Sequence, residues 1–373
     1  MYRGQVGSGG TLSVTGAPAM TWEGASTGVT VDNYGTIESP NDRAIDTDGA
    51  SGIFTLNNYA GALISAESDA FRIDDPIGSG TVTINNFGTI LSEDSQAFDF
   101  ASNTSDDSTL IITNGATGII RAEDSDAIRP GLGTITVDNS GLIEGAKRAI
   151  NIEDGDLDDL ISFKVYNRLD GEIHGESADA IRITTDDKAA YADTVETTSV
   201  EILIDNAGLI SASDGQAIDF DDLDSTNATI SIINRETGSI EATFSDAVRP
   251  GEGATVTNYG TITSYDTVGS GKGSDAVDLQ EHTATINNMA SGVISGFRHG
   301  ITTDVDLTVT NYGTITGRNG SGVGSDGDGT VINYGTITGA YAGVNEGDGD
   351  GVDIDFSGYI ENYGTIQGTG ADG

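Results

Sequence analysis

The chain has 373 residues, 59 acidic against 16 basic, a formal charge of −43 and no cysteine. Such a charge repels phosphate backbones and anionic lipid headgroups, which excludes a nucleic-acid binder, and the missing thiols exclude disulfides and thiolate metal sites. No apolar stretch is long enough to span a bilayer, so membrane insertion by this segment is excluded too, and so much acid suits a salty or calcium-rich exterior where cations screen self-repulsion.

Residues 1–28 contain no apolar run of the signal-peptide kind and read as an N-terminal cap or first coil, with Trp22 placed to help cover an open end. From residue 29 onward one pattern rules the chain. An aliphatic residue is followed two positions later by Asn, and four or six residues after that by Ile, first in Val31-Asp32-Asn33-Tyr34-Gly35-Thr36-Ile37. The Asn returns at 58, 86, 114, 139, 167, 206, 234, 258, 288, 311, 333 and 362, at spacings of 22 to 30 residues and once 39. A fixed period of this size marks a stacked-repeat architecture.

A second element follows each Ile: a small residue, usually Ala, then an aliphatic or Phe, as in Ala44-Ile45, Ala70-Phe71, Ala97-Phe98, Ala127-Ile128 and Ala217-Ile218. Apolar and polar residues alternate around these dipeptides, which is strand periodicity, and no window offers an amphipathic helix. Three short strands and three turns fill one period. The predicted fold is therefore all-β, a right-handed parallel β-helix of about thirteen three-strand coils, with residues 29–373 forming a single solenoid domain. Coils stacked at the interstrand spacing of ~4.8 Å would make a rod roughly 60 Å long.

The repeated Asn has a mechanical explanation: its side chain tolerates tight turns, and identical amides on successive coils can bond one another. Compact turns (Asn33, Asn86, Asn139, Asn206, Asn258, Asn311) interleave with longer ones such as that after Asn58, giving a two-coil unit of about 53 residues. A larger echo, Ser125 to Gly131 against Ser245 to Gly251, points to growth by duplication.

The residue after each Ala-aliphatic dipeptide reads Asp46, Arg72, Asp99, Arg129, Asn151, Arg182, Asp219, Arg249 and Asp278. If the flanking aliphatics face inward, these face outward as a ladder of alternating charge. Opposite charges one strand apart stabilise by ~0.2–1 kcal/mol each and fix coil register.

Farther along, two insertions break the rhythm, one near 184–199 with Tyr191 and one near 264–274. Loops on a rigid scaffold are where binding usually sits. The turns after the Ala-aliphatic strand are rich in acid, and two of them supply calcium-type oxygens: Asp154, Asp156, Asp158 and Asp159, and Asp348, Asp350 and Asp353. Calcium is the one cofactor the sequence suggests, although neither turn fits the EF-hand spacing. Tyr259, Tyr312 and Tyr334 follow the repeated Asn and are candidate sugar contacts, or covers for the turns. His174, His282 and His299 stand alone, with no nucleophile elbow, zinc helix or phosphate loop nearby.

The Asn-Tyr-Gly-Thr-Ile-Thr-Gly blocks at 311–317 and 333–339, with variants along nearly the whole chain, resemble the β-helical passenger domains of bacterial autotransporters and related surface adhesins. The resemblance implies a cell-surface or secreted, outer-membrane-associated segment that meets a host or neighbouring cell through glycan or protein. The translocating barrel those proteins carry C-terminally is missing here, and the chain reads as a segment of a longer protein. Parallel β-helices also include pectin-degrading lyases and hydrolases, and Asp46-Thr47-Asp48-Gly49 and Arg298-His299-Gly300 are similar to their motifs. These stretches lie about ten coils apart and cannot converge. The expected function is thus an extracellular structural or adhesive segment without catalysis; the alternative is a polysaccharide-binding or polysaccharide-cleaving β-helix.

Overall fold

One coil shows how alternation builds the structure. Along Ile53–Asn58 the side chains of Phe54, Leu56 and Asn58 turn inward, along Leu63–Ala66 those of Ile64 and Ala66, and along Phe71–Ile73 those of Phe71 and Ile73. Three strands of this kind enclose a narrow apolar centre that no single coil could shield, so burial requires a neighbour above and below. The computed structural model describes residues 2–23, 28–48, 52–153, 157–184, 199–223, 227–265, 274–343 and 349–370. The two sequence-predicted insertions lie almost wholly outside them, as do Tyr191, Asp154, Asp156 and Asp348.

Among the described residues the strands form three parallel sheets, two of 14 strands and one of 13. The first runs from Tyr2–Val6 to Gly358–Asn362, the second from Thr11–Ser13 to Thr365–Thr369, the third from Met20–Glu23 to Val352–Ile354. Each strand pairs in parallel with its counterpart one coil away. The molecule is a parallel β-solenoid of about thirteen coils, all-β as the sequence predicts. Among the described residues no helix is long and apolar enough to cross a membrane.

The core is ordered in columns. Ile37, Ile64, Ile90, Ile120, Ile143, Ile173, Ile210, Ile240, Ile262, Ile294, Ile315 and Ile337 stack along the second sheet, all fully buried. Each contributes ~1.5–3 kcal/mol by leaving water. Phe54, Phe71, Phe98 and Phe100 pack together inside the third and fourth coils with mostly tilted and edge-on contacts. Where the second sheet meets its turn the space closes: a Cβ on Gly145 would lie 1.8 Å from the Arg148 carbonyl oxygen. Only Gly, Ala or Ser stands at this inward position along the sheet, from Ser39 to Gly339.

The repeated Asn forms a continuous ladder at the corner between the first two sheets. Asn33 Nδ2 donates to Asn58 Oδ1 at 2.9 Å, Asn58 to Asn86 at 2.8 Å, and so on without a gap to Asn333, which donates to Asn362 at 2.8 Å. The same Nδ2 groups also reach a carbonyl of the following coil, as Asn206 does to Ser239 at 3.0 Å. In compact turns the Oδ1 accepts the amide N–H two residues on, at 3.1 Å for both Asn33 and Asn311. A buried amide is thereby satisfied on both sides, so the core tolerates a polar group in every coil. The alternation of turn lengths ends at Asn311, because Asn333 and Asn362 also carry compact turns.

Candidate functional site

The outer face of the third sheet departs most from simple repetition. Register places Asp46 against Arg72, Arg72 against Asp99, Asp99 against Arg129, Arg182 against Asp219 and Asp219 against Arg249. The nearest long-axis ion pairs among them are Arg72–Asp99, Arg182–Asp219 and Arg249–Asp278, each 3.7 Å.

Shorter pairs run sideways to a second column, which the sequence analysis did not single out. It consists of the residue just before each Ala: Arg43, Asp69, Gln96, Asp126, Arg148, Asp179, Gln216, Asp246 and Asp275. Arg129 meets Asp126 at 3.0 Å and Arg249 meets Asp246 at 2.7 Å, while within the second column Arg43 meets Asp69 of the next coil at 2.9 Å. Arg148 spans two coils, to Asp126 at 3.7 Å and Asp179 at 3.4 Å. The recurring Asp-Ala-aliphatic-Arg tetrapeptide carried this signal, since residues three apart across the strand entrance meet on one face.

From coil three to coil nine the two columns never place two like charges in one coil: Asp69 with Arg72, Gln96 with Asp99, Asp126 with Arg129, Arg148 with Asn151, Asp179 with Arg182, Gln216 with Asp219, Asp246 with Arg249. Coil ten, built from Ala254–Asn258, Thr261–Ser264 and Val277–Asp278, breaks this with Asp275 and Asp278 together. Oxygens of Asp246, Asp275 and Asp278 lie within 4.8 Å of one another, all three side chains buried.

Coil eleven supplies part of the missing charge. Arg298 grips Asp275 with two hydrogen bonds, Nε at 3.1 Å and Nη2 at 2.6 Å, while the His299 amide donates to the same carboxylate at 2.7 Å. Asp246 accepts from Arg249 and from the Asp275 amide at 2.8 Å. Asp278 accepts from the Gln280 amide at 3.2 Å and from its side chain; Gln280 is the one non-glycine residue with positive φ among the described residues, at 53°.

Burial, reinforced by the Asp246 and Asp275 charges, pushes Asp278 up to about 8 against the pull of Arg249. Burial and the Asp179 charge push Asp219 up to about 6. Burial raises Asp275 as well, opposed by Arg298, and the hydrogen bonds to Asp275 hold the Arg298 guanidinium firmly charged. Three carboxylates and two guanidinium groups leave one excess negative charge, which a proton on Asp278 removes. The trio is close enough to share a cation, but its oxygens are engaged by two guanidinium groups and by amides, and we read it as a charge cluster that holds a proton. Asp275 is wholly enclosed, so a sugar ring has no approach to this carboxylate set.

The other sequence candidates are dispersed. Asp158 and Asp159 precede the seventh coil and Asp350 and Asp353 belong to the thirteenth, so the two acidic turns are not brought together. Tyr312, Tyr334 and Tyr363 form an exposed row of parallel rings, with centroids 4.8 and 5.0 Å apart. Their faces turn to one another, so the row offers ring edges and hydroxyls rather than open platforms. Tyr34 and Tyr59 stack in the same way at the other end, 4.0 Å apart, whereas Tyr259 is in neither row. His174 bonds Ser211 Oγ at 2.8 Å, His282 meets the Asp221 carbonyl at 2.7 Å, and His299 Nδ1 accepts the Ser321 amide at 2.9 Å. Asp46 and Arg298 stand on the second and eleventh coils of the third sheet, far from one another. Comparison with protein-family models, with curated proteins and with solved structures returned no match.

Proposed function

We propose that the chain is an extracellular structural or adhesive β-solenoid segment of a bacterial surface or secreted protein, of the autotransporter-passenger kind and without catalysis. The observation carrying this reading is the unbroken amide ladder from Asn33 to Asn362, which spends the regular inward positions on stacking and gives a long, stiff scaffold. A scaffold of this form holds a surface at a distance, and its partner would be a glycan or protein on a host or neighbouring cell. The exposed tyrosine rows are the contact surface this reading favours. Calcium would enter at the acidic turns, including Asp158, Asp159, Asp350 and Asp353, as a stabiliser.

The test uses the purified chain on beads, scored for attachment to bacterial and host cells with and without millimolar calcium. Attachment that falls when Tyr312 and Tyr334 are both changed to Ala supports the reading. Reducing-end and unsaturated-product assays on polyuronates form the opposing arm: turnover on any of them would replace it with the polysaccharide-cleaving alternative.

A further inference from the structure

Coil ten is where three irregularities coincide. Two acids share one coil of the charged columns, Gln280 adopts a left-handed backbone to cap one of them, and the second insertion precedes the same strand. Strand pairing in the third sheet is thin there as in most of its coils, with one registered pair to coil nine, Val248 to Val277, and two to coil eleven. The surroundings of Asp278 are charged on every side. Asp246 and Arg249 face it from coil nine, with Asp219 beyond them on coil eight; Asp275 and Gln280 lie on its own coil; Arg298 and His299 approach from coil eleven beside Thr302.

We propose that coil ten is a proton-operated lock: a proton on Asp278 lets three buried carboxylates stand together beside only two guanidinium groups, and its loss loosens the third sheet between coils nine and eleven. The sign follows from the raised carboxyl. A group that binds its proton more tightly in the folded than in the unfolded chain favours folding most below its unfolded pKa, and this contribution is lost as pH rises to about 8 for Asp278. Above that value the patch holds one negative charge more than its two guanidinium groups balance, because Arg249, 3.7 Å from Asp278, sits closer to Asp246 at 2.7 Å, and Arg298 is paired with Asp275 at 2.6 Å. The device is thus closed in neutral and acid surroundings and relaxed in alkaline ones.

Hydrogen exchange of the whole chain at pH 6.5 and 9.5, corrected for intrinsic rates, tests this. Amides around Val248, Val277 and Ile301 should exchange about tenfold faster at the higher pH, the change that 1.4 kcal/mol of opening free energy produces, while amides of coils three to six hold steady. Asp278→Asn, neutral at every pH and still able to accept the Gln280 amide, should abolish the difference. Parallel loss of protection in the native chain and in Asp278→Asn would overturn the proposal. So would recovery of protection on adding millimolar calcium at pH 9.5, since the patch would then be a cation site. If Asp278→Asn fails to fold, the Asp278 carboxyl resonance of the native chain decides: titration below pH 5 overturns the lock, titration near 8 supports it.

Discussion

Two polar stacks run the length of this solenoid, and they solve the same problem in opposite ways. The Asn ladder repeats one neutral group that is both donor and acceptor, so each amide satisfies the next at 2.8–2.9 Å and the series extends without adjustment. The charged columns of the third sheet use groups that are only donors or only acceptors, so a coil must alternate or borrow from its neighbour. A self-complementary group can be copied indefinitely, whereas a charged one must be balanced locally. Coil ten is where balance fails, and only there does the structure hold a carboxyl whose titration reaches neutral pH or above among the shifts resolved.

A large effect should come from breaking the uniform stack. Asn206→Ala removes the donor to the buried Asn234 oxygen and to the Ser239 carbonyl, and leaves the Asn167 amide with only its bonds to Gly171 and Leu209, in addition to opening a small cavity. A loss of roughly 2–4 kcal/mol is expected, the cost of a buried oxygen left unsatisfied together with the lost ladder bonds and the cavity, measured by urea unfolding of the whole chain. The same change at Asn362, which lies at the exposed end and bonds only one neighbouring Asn, should cost much less. Equal losses at the two positions would show that the amides act by turn propensity alone and not as a ladder.

The fold was legible because its signals repeat. A buried Asn every coil, an Ile on the next strand and an Ala-aliphatic dipeptide are each too weak alone, but about a dozen aligned copies leave one solution. The outward stripe from Asp46 to Asp278 was legible by the same alternation. The second column was not, because Asp126, Asp246 and Asp275 sit in the turn ahead of the strand, where period-two reading has not begun. Their burial depends on Arg148, Arg249 and Arg298 folding across from other positions, which the linear sequence does not display. Arg298 in particular read as part of an Arg-His-Gly motif, and its partner Asp275 as an unremarked residue after an insertion. The turns assigned to calcium were visible as composition, but composition could not show that Asp158–Asp159 and Asp350–Asp353 lie on coils six turns apart.

Within the charged columns, coil eight offers a milder version of coil ten. Asp219 is raised to about 6 by burial and by Asp179, so its contribution to stability is full below its ordinary value near 4 and is lost as pH rises to about 6. Asp219→Asn should therefore reduce the pH dependence of stability between pH 4 and 6, where Asp278 also contributes, and leave the further fall from pH 6 to about 8, which belongs to Asp278, intact. Urea midpoints at half-unit pH steps would show a steeper fall below pH 6 than above it in the native chain and a uniform fall in Asp219→Asn. A change of slope above pH 6 in Asp219→Asn would mean that the columns titrate as one continuous network rather than coil by coil.

The smallest effect belongs to charges outside both stacks. Arg168 forms two hydrogen bonds with Asp138 at 2.7 and 2.6 Å on the outer face of the first sheet, and Arg235 repeats the arrangement with Asp205. Their geometry is as good as that of Arg298 with Asp275, but Arg168 and Asp138 remain open to solvent, with side-chain exposures of 51% and 37%. Water and salt screen such a pair, so Arg168→Ala should cost no more than about 1 kcal/mol, and less in 1 M salt. Arg298 is itself 43% exposed, but its partner Asp275 is fully buried, so Arg298→Ala leaves a buried carboxylate without its cation and should cost about 3 kcal/mol. The two substitutions remove the same bidentate contact from similarly exposed guanidinium groups, so the difference between them measures burial of the carboxylate. If Arg168→Ala proved as costly as Arg298→Ala, enclosure would not be what sets coil ten apart.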